Sequence, residues 1–476
     1  MPLLIAGRPL LGRPARARLR AHLNEGARRA RRQGECLVAL TVALAPGADP
    51  TAIVAASRRG GEHWFCFEQP ERDGFALAAL GCVDAIDDRG PGRFRRVAAR
   101  WRRLAASAVA DPAEGSSGVG AVAVGGFAFA PDGGSAPHWA GYPPASLHVP
   151  AIALARSGGD THLTLTALLR PDDDPDQVAA ELEQRADALR FAPLPLLDPD
   201  PVDRARVASA MPPEHYEAAV TRAVERIRAG GFDKVVLARE VMVHAARAHD
   251  AAALVGVLRE AFPQCFTFAA GRGDSAFVAA SPELLVRRSG QRAGTLALAG
   301  STRRSADPAV DDHLGEQLLR SDKDREEQAI VTRRIVRALR PHSVWVTEAG
   351  EPVIVKMANI QHLATPIRAQ LAQPVSAVEL AGLLHPTPAV GGEPHADAVA
   401  LIPALEGLDR GWYAGPVGWT DTSEDGEFCV ALRCALLRGP VARCYAGVGV
   451  VRDSDPAAEL AETEVKLQAL LPVLAG

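Results

Sequence analysis

The chain has 476 residues, of which 47% are hydrophobic and 23% charged, values that belong to a folded globular protein and exclude a disordered or fibrous one. Its formal net charge of −4 offers no basic excess to neutralise phosphates, so nucleic acid is not an expected partner and a small-molecule ligand is. No apolar run approaches the roughly 18 residues of a membrane span, and the N-terminal apolar run precedes its arginines, the reverse of a secretory signal. The seven cysteines show neither a C-x-x-C pair nor zinc-ligand spacing. We therefore expect reduced thiols and a cytoplasmic location.

Lysine occurs only at Lys234, Lys323, Lys356 and Lys466, so nearly all of the 53 basic residues are arginine. Codon bias explains the arginines but not the lysines that survive among them. Burial can strip the proton from a lysine ammonium but not from a guanidinium, so a position that must act as a base cannot drift to arginine. The four lysines are candidate functional residues on that ground.

In chain order, period-2 patterning predicts strands over Cys36–Ala45, His63–Glu68, Phe75–Ala85, Ala121–Ala130, Leu147–Ala155 and His162–Leu169, with helices over Arg93–Val109 and Pro175–Leu189. A proline-rich stretch from Phe191 to Pro201 reads as the connection between two halves. The second half opens with a helix over Pro213–Ala229, striped by Tyr216, Val220, Val224 and Ile227, followed by a strand over Lys234–Val243. Further helices are predicted over Ala251–Ala261, Ala309–Leu339, Val378–Leu384 and Pro456–Leu471. Strands are expected over Cys265–Ala270, Phe277–Ala280, Gly294–Ala299, Val344–Val346, Gly415–Thr420, Glu427–Leu437 and Val441–Gly449. Short turns such as Leu437-Arg-Gly-Pro-Val441 favour antiparallel pairing, and no repeat of solenoid period is present.

Gly118-Val-Gly120-Ala-Val-Ala123 imitates a dinucleotide fingerprint, but Val124–Phe129 reads as strand, so no helix N-terminus would receive a pyrophosphate. The last helix is more informative. Asp455 is a plausible N-cap with Pro456 at the first helical position, and Glu459, Glu462 and Lys466 share one face. The plainer reading is a solvated face with a Glu462–Lys466 pair; two acidic faces brought together, this one and Asp322–Glu327, would suit magnesium. Ala299-Gly-Ser-Thr-Arg303, His362-Leu-Ala-Thr-Pro366 and His385–Gly392 look overdetermined for loops. Arg433 falls in an otherwise apolar strand, where an inward guanidinium needs an anionic partner such as a ligand carboxylate.

Seven segments taken together, Phe232–Arg239, Ser281-Pro-Glu283, Leu298–Ser301, Ser321–Glu327, His362–Thr365, Leu384–Gly392 and Glu459-x-x-Glu462-x-x-x-Lys466, resemble in order the chorismate-utilising enzymes. The resemblance runs from about residue 210 to the end, whereas residues 1–200 look loosely like the N-terminal part of isochorismate synthases of menaquinone-pathway type. It implies one large α/β (α+β) fold of packed, mostly antiparallel sheets with outer helices. Residues 1–200 would contribute to that fold, and residues 201–476 would form the chorismate-binding catalytic region. Relatives that make anthranilate or aminodeoxychorismate carry glutamine where this chain has Lys234, and the latter carry a nucleophilic lysine where this chain has Ala299. The pattern therefore resembles an isochorismate synthase, with salicylate synthase as the alternative; no amidotransferase subunit is expected, and the chain is expected to be a monomer.

By the same resemblance, Lys234, neutral in its working state, would take a proton from water attacking carbon 2 of chorismate, while Glu283 protonates the hydroxyl leaving carbon 4. Magnesium would be held by Glu327 and Glu462, with Glu459 through water. Arg433 and Lys466 would bind carboxylates beside the backbone of Gly300, Ser301 and Gly447, with His362, Ala389 and Tyr413 completing the substrate pocket. Gln328 departs from the family, in which histidine often follows this glutamate, and so puts the support of the metal in question.

Overall fold

In a computed structural model that describes residues 10–111, 117–198, 203–358 and 360–476, two large sheets are packed with helices outside them. The 13-stranded sheet runs Arg206–Ser209, Lys234–His244, Val441–Val450, Cys434–Arg438, Ser275–Ser281, Phe266–Arg272, Trp64–Gln69, Phe75–Leu80, Ile152–Ser157, Asp160–Leu169, Cys36–Ala43 and Val109–Ala110, with Gly392–Glu393 added beside Lys234. The 10-stranded sheet runs Ser343–Glu348, Ile360–Leu371, Arg292–Arg303, Leu284–Ser289, Gly426–Val430, Pro416–Asp421, Val122–Phe127, Ala145–Val149 and Asp84–Asp88, with Val353–Lys356 beside Ile360–Leu371. Pairing is antiparallel except between Cys36–Ala43 and Val109–Ala110.

Alternation of side chains divides the apolar interior. Phe65 and Phe67 face the larger core, which includes Val122, Val124 and Phe127 of the other sheet. Trp64 and Cys66 face a second core, closed by Leu19, Leu23, Leu254 and Leu258 from the outer helices.

Both sheets read nearly the same from either side of one line. In the larger sheet, outward from the Phe266–Arg272 pairing with Trp64–Gln69, each half places its first five strands in the same order, and only the edge strands differ: Arg206–Ser209 pairs antiparallel with Lys234–His244, whereas Val109–Ala110 pairs parallel with Cys36–Ala43. In the smaller sheet the line falls between Pro416–Asp421 and Val122–Phe127. The two halves of the chain thus repeat one topology, which the sequence does not display. The second half alone extends the smaller sheet with Arg292–Arg303 and Ile360–Leu371, and these border the cavity described below.

Several expectations are corrected. Phe75–Ala85, Leu147–Ala155 and Glu427–Leu437 are not single strands: each is two strands in different sheets, joined by a crossing that is apolar enough to hide in an apolar pattern. Arg433 accordingly lies on a crossing between sheets, with φ of 49°, and not within a strand. The segments around Ser301 and His362 are not loops but neighbouring strands, with Ser301 opposite His362 and a bulge at Gly300. Ala309–Leu339 is broken at Ser321, which ends the helix Pro308–Arg320 and caps Asp322–Leu339, its hydroxyl accepting from the Asp324 amide at 3.3 Å. The helices Arg13–Gln33 and Pro50–Ser57 escaped prediction, the first because its buried stripe of Leu19, Leu23, Gly26, Ala27 and Ala30 is thin and mostly small. Residues 199–201 of the proline-rich connection lie outside the described residues.

Because each sheet continues across the halves, residues 203–476 alone would expose the paired edges of Phe266–Arg272 and Pro416–Asp421. Expressed alone, this fragment is expected to aggregate; a soluble fragment with a cooperative thermal melt would contradict the shared-sheet account.

Candidate active site

Two crossings between the sheets lie side by side. The Val430 amide donates to the Glu283 carbonyl at 3.0 Å, the Ala280 amide to the Arg433 carbonyl at 3.1 Å, and the Glu283 amide to Ser281 Oγ at 3.3 Å. These bonds bring Glu283 and Arg433 to one cavity. Strands Arg292–Arg303 and Ile360–Leu371 add Ser301 and His362, the helix Asp322–Leu339 adds Lys323, Asp324 and Glu327, and the helix Pro456–Leu467 adds Glu459, Glu462 and Lys466.

Local sequence aims these helices. Asp455 accepts from the Ala458 amide at 2.9 Å and Pro456 occupies the first turn, as expected, which fixes where Glu459 and Glu462 emerge. In the other helix Gln328, Val331 and Ile335 are buried while Lys323, Asp324 and Glu327 reach the cavity. Gln328 donates to the Ala297 carbonyl and to Thr365 Oγ1, both at 2.9 Å, and so fastens the helix beside Glu327 to both strands behind it. This departure from the family leaves the helix supported.

Every predicted site residue except Lys234 lines the cavity: Glu283, Gly300, Ser301, Glu327, His362, Ala389, Tyr413, Arg433, Gly447, Glu459, Glu462 and Lys466. Lys234 is fully buried beside them, its Nζ donating to Glu327 Oε1 at 2.7 Å. The glycine at 449 leaves room for this pair. A Cβ there would lie 2.8 Å from both Glu327 Oε1 and Lys234 Cε. Gly300, with φ of 69°, is similarly close to the other helix, where an added Cβ would be 3.1 Å from that of Asp324. Lys323 and Asp324 were marked by lysine scarcity and by the acidic helix face but given no role of their own, and Gly449 was passed over; the alternation Gly447-Val-Gly449 in a strand was the available sign of a close approach.

The carboxylates are tied to lysines. Glu462 pairs with Lys466 at 2.8 Å and accepts from Ser301 Oγ at 3.1 Å, Glu459 lies 3.6 Å from Lys323, and Lys466 also donates to the Gly447 carbonyl at 3.0 Å. Three of the four lysines thus face this one acidic group. Burial pushes the Glu459 and Asp324 carboxyls up, with Glu327 and Glu462 repelling both. Burial acts the same way on Glu462, but Lys466 and Ser301 outweigh it and hold that carboxyl below its usual value.

Glu283 differs: burial raises it to about 7, against the pull of Lys234 and Arg433. Burial, with Arg433 and Lys466, lowers His362 to about 3, so its imidazole is neutral. His362 Nδ1 lies 3.3 Å from the Gly300 carbonyl, whereas its buried Nε2 and Arg433 Nη2 have no protein partner.

Among the described residues no three carboxylate, imidazole or thiolate groups close around one point tightly enough to hold an ion by themselves. Magnesium asks for only one or two carboxylates, the rest of its shell coming from water and ligand oxygens. Three mutually repelling glutamates on one cavity are a donor set that fits it.

The family described as chorismate binding enzyme matches residues 22–475. This chain belongs to that family. It is 38% identical over 420 residues to the "Salicylate biosynthesis isochorismate synthase" of Pseudomonas aeruginosa, covering 86% of this chain and 84% of that protein. To "Isochorismate synthase MenF" of Bacillus subtilis it is 33% identical over 419 residues, covering 87% and 88%. The solved structure of MenF, the menaquinone-specific isochorismate synthase of Escherichia coli, matches with a TM-score of 0.78 at 27% identity, over 96% of this chain and 99% of that one. The fold expected of a chorismate-binding enzyme is therefore present. Among the described residues no helix is long and apolar enough to cross a membrane.

Folding raises Glu283 from the ordinary carboxylate range to about 7, so between those values the folded chain holds a proton that the unfolded chain has lost. Stability then falls as pH rises through that window, by about 1.4 kcal/mol per pH unit. Glu283→Gln removes the slope: relative to wild type its Tm should be higher at about pH 8 than at about pH 5. An offset equal at both pH values would contradict the shift.

Proposed function

We propose that this chain is an isochorismate synthase, which adds water at carbon 2 of chorismate and releases the carbon 4 hydroxyl as water, so that product and substrate are isomers. The observation that carries the reading is Glu283: a buried carboxyl whose pKa of about 7 keeps a proton to donate, in a site that also holds Lys234. Glu283 protonates the leaving hydroxyl, and Lys234 accepts the proton of the attacking water. Arg433 Nη2, buried and without a protein partner, binds a substrate carboxylate, and neutral His362 offers Nε2 to the same ligand. Glu327 and Glu462, with Glu459 through water, would hold magnesium, whose charge when bound offsets that of a substrate carboxylate. The relatives named as isochorismate synthases support this reading.

The salicylate alternative requires a further elimination of pyruvate from isochorismate. The turn Pro388-Ala389-Val390 gives the cavity wall only small apolar groups at Ala389 and Val390.

Three outcomes check the reading. With chorismate and magnesium the purified chain should yield isochorismate, with far less than one pyruvate per chorismate in a lactate dehydrogenase-coupled count; a ratio near one with rising salicylate fluorescence would overturn it. Lys234→Arg keeps the charge but should lose roughly 10²–10⁴-fold in rate, the usual scale for a positioned proton-transfer group, and near-normal turnover by the folded variant would remove Lys234 from that role. EDTA should abolish turnover and added magnesium restore it, with undiminished rate in excess chelator as the contrary result.

A further inference from the structure

Glu406 and Arg410 lie outside the cavity, yet they join two of its walls. Both side chains are buried, at 1% and 3% exposure, and Arg410 Nε donates to Glu406 Oε2 at 3.0 Å. The remaining nitrogens reach two separate segments: Nη1 donates to the Val390 carbonyl at 2.8 Å and Nη2 to the Val236 carbonyl at 2.9 Å. Glu406 Oε1 in turn accepts from the Ala238 amide at 2.6 Å. Phe129 covers the guanidinium, 4.2 Å from its ring centre. The Tyr413 amide donates to the Arg410 carbonyl at 2.9 Å.

Val236, Val390 and Tyr413 all line the cavity. Val236 is two residues from Lys234 on the same strand, and Val390 follows Ala389. The backbone bonds that lay the turn along this strand run from the Asp233 amide to the Glu393 carbonyl and from the Val236 amide to the Gly391 carbonyl, both at 2.8 Å. That ladder ends at Gly391, one residue short of the cavity wall, and the guanidinium continues it to Val390.

Removing two charges from water usually costs more than their mutual attraction returns, and apolar residues of similar volume often fold as well in their place. Stability therefore does not account for this pair. We propose that Glu406 and Arg410 are positioning residues for the reaction: they hold the strand of Lys234 in register with the Ala389–Val390 wall, so that the base meets a ring seated against that wall. The inference rests on the function proposed above. Neither residue lines the cavity.

The test replaces the pair with apolar residues of similar size, Glu406→Leu with Arg410→Met, in the full-length chain, with Glu406→Gln and Arg410→Gln as a neutral hydrogen-bonding pair. The apolar pair should melt cooperatively within a few degrees of wild type. Its kcat on chorismate should fall roughly 10- to 100-fold, the scale of an ångström-sized misplacement. The glutamine pair should recover part of kcat. An unchanged kcat in either folded double variant overturns the proposal, as does loss of folding in both, which would make the pair structural. A wild-type chain inactive on chorismate instead removes the functional reading itself, and the inference with it.

Discussion

Burial of opposite charges between two sheets is the constraint on which this site depends. Lys234, Glu283 and Arg433 are removed from water, and for Glu283 and Arg433 burial acts against the charged form. Lys234 donates to Glu327 Oε1 at 2.7 Å. For Glu283 nothing offsets burial fully, and the result is a carboxyl that keeps its proton near neutral pH. Arg433 Nη2 is buried without a protein partner. The raised carboxyl of Glu283 and the unpartnered guanidinium nitrogen of Arg433 are therefore consequences of one arrangement, two chain crossings placed side by side.

The duplicated topology shows why that arrangement occurs where it does. The crossings that carry Glu283 and Arg433 have counterparts in the first half, between Leu80 and Asp84 and between Val149 and Ile152. The second half adds strands beyond Leu284–Ser289, and with them the helix Asp322–Leu339 stands away from the crossings far enough to leave a cavity. Helix Pro456–Leu467 closes it. Among residues 1–200 the described ones bring no side chain to this cavity, but their strands complete both sheets beneath it.

What could be read from the sequence was what depends on local spacing. Glu459, Glu462 and Lys466 were legible because helical period and an Asp-Pro start fix their common face, and the scarcity of lysine marked Lys234 and Lys466. Arg433 was found but misplaced, since apolar residues on both sides of a crossing look like one strand and nothing local states which sheet each belongs to. The closeness of Lys234, Gly449 and Glu327 was invisible for the same reason: it arises from strand pairing and from a helix laid over the strand. The acidic segment that holds Lys323 and Asp324 was marked by its charge and by the scarcity of lysine, but taken alone it reads as surface, and it is the fold that brings the second acidic helix opposite it.

The central claim is that this site exchanges one water for another across the substrate ring. Turnover of chorismate in water enriched in oxygen-18, with the product examined by mass spectrometry, tests it most directly. The account predicts isochorismate carrying one solvent oxygen, located at carbon 2, with unlabelled hydroxyl lost from carbon 4. Isochorismate formed without solvent oxygen would mean that the hydroxyl migrates within the substrate, and would contradict the roles given to Lys234 and Glu283.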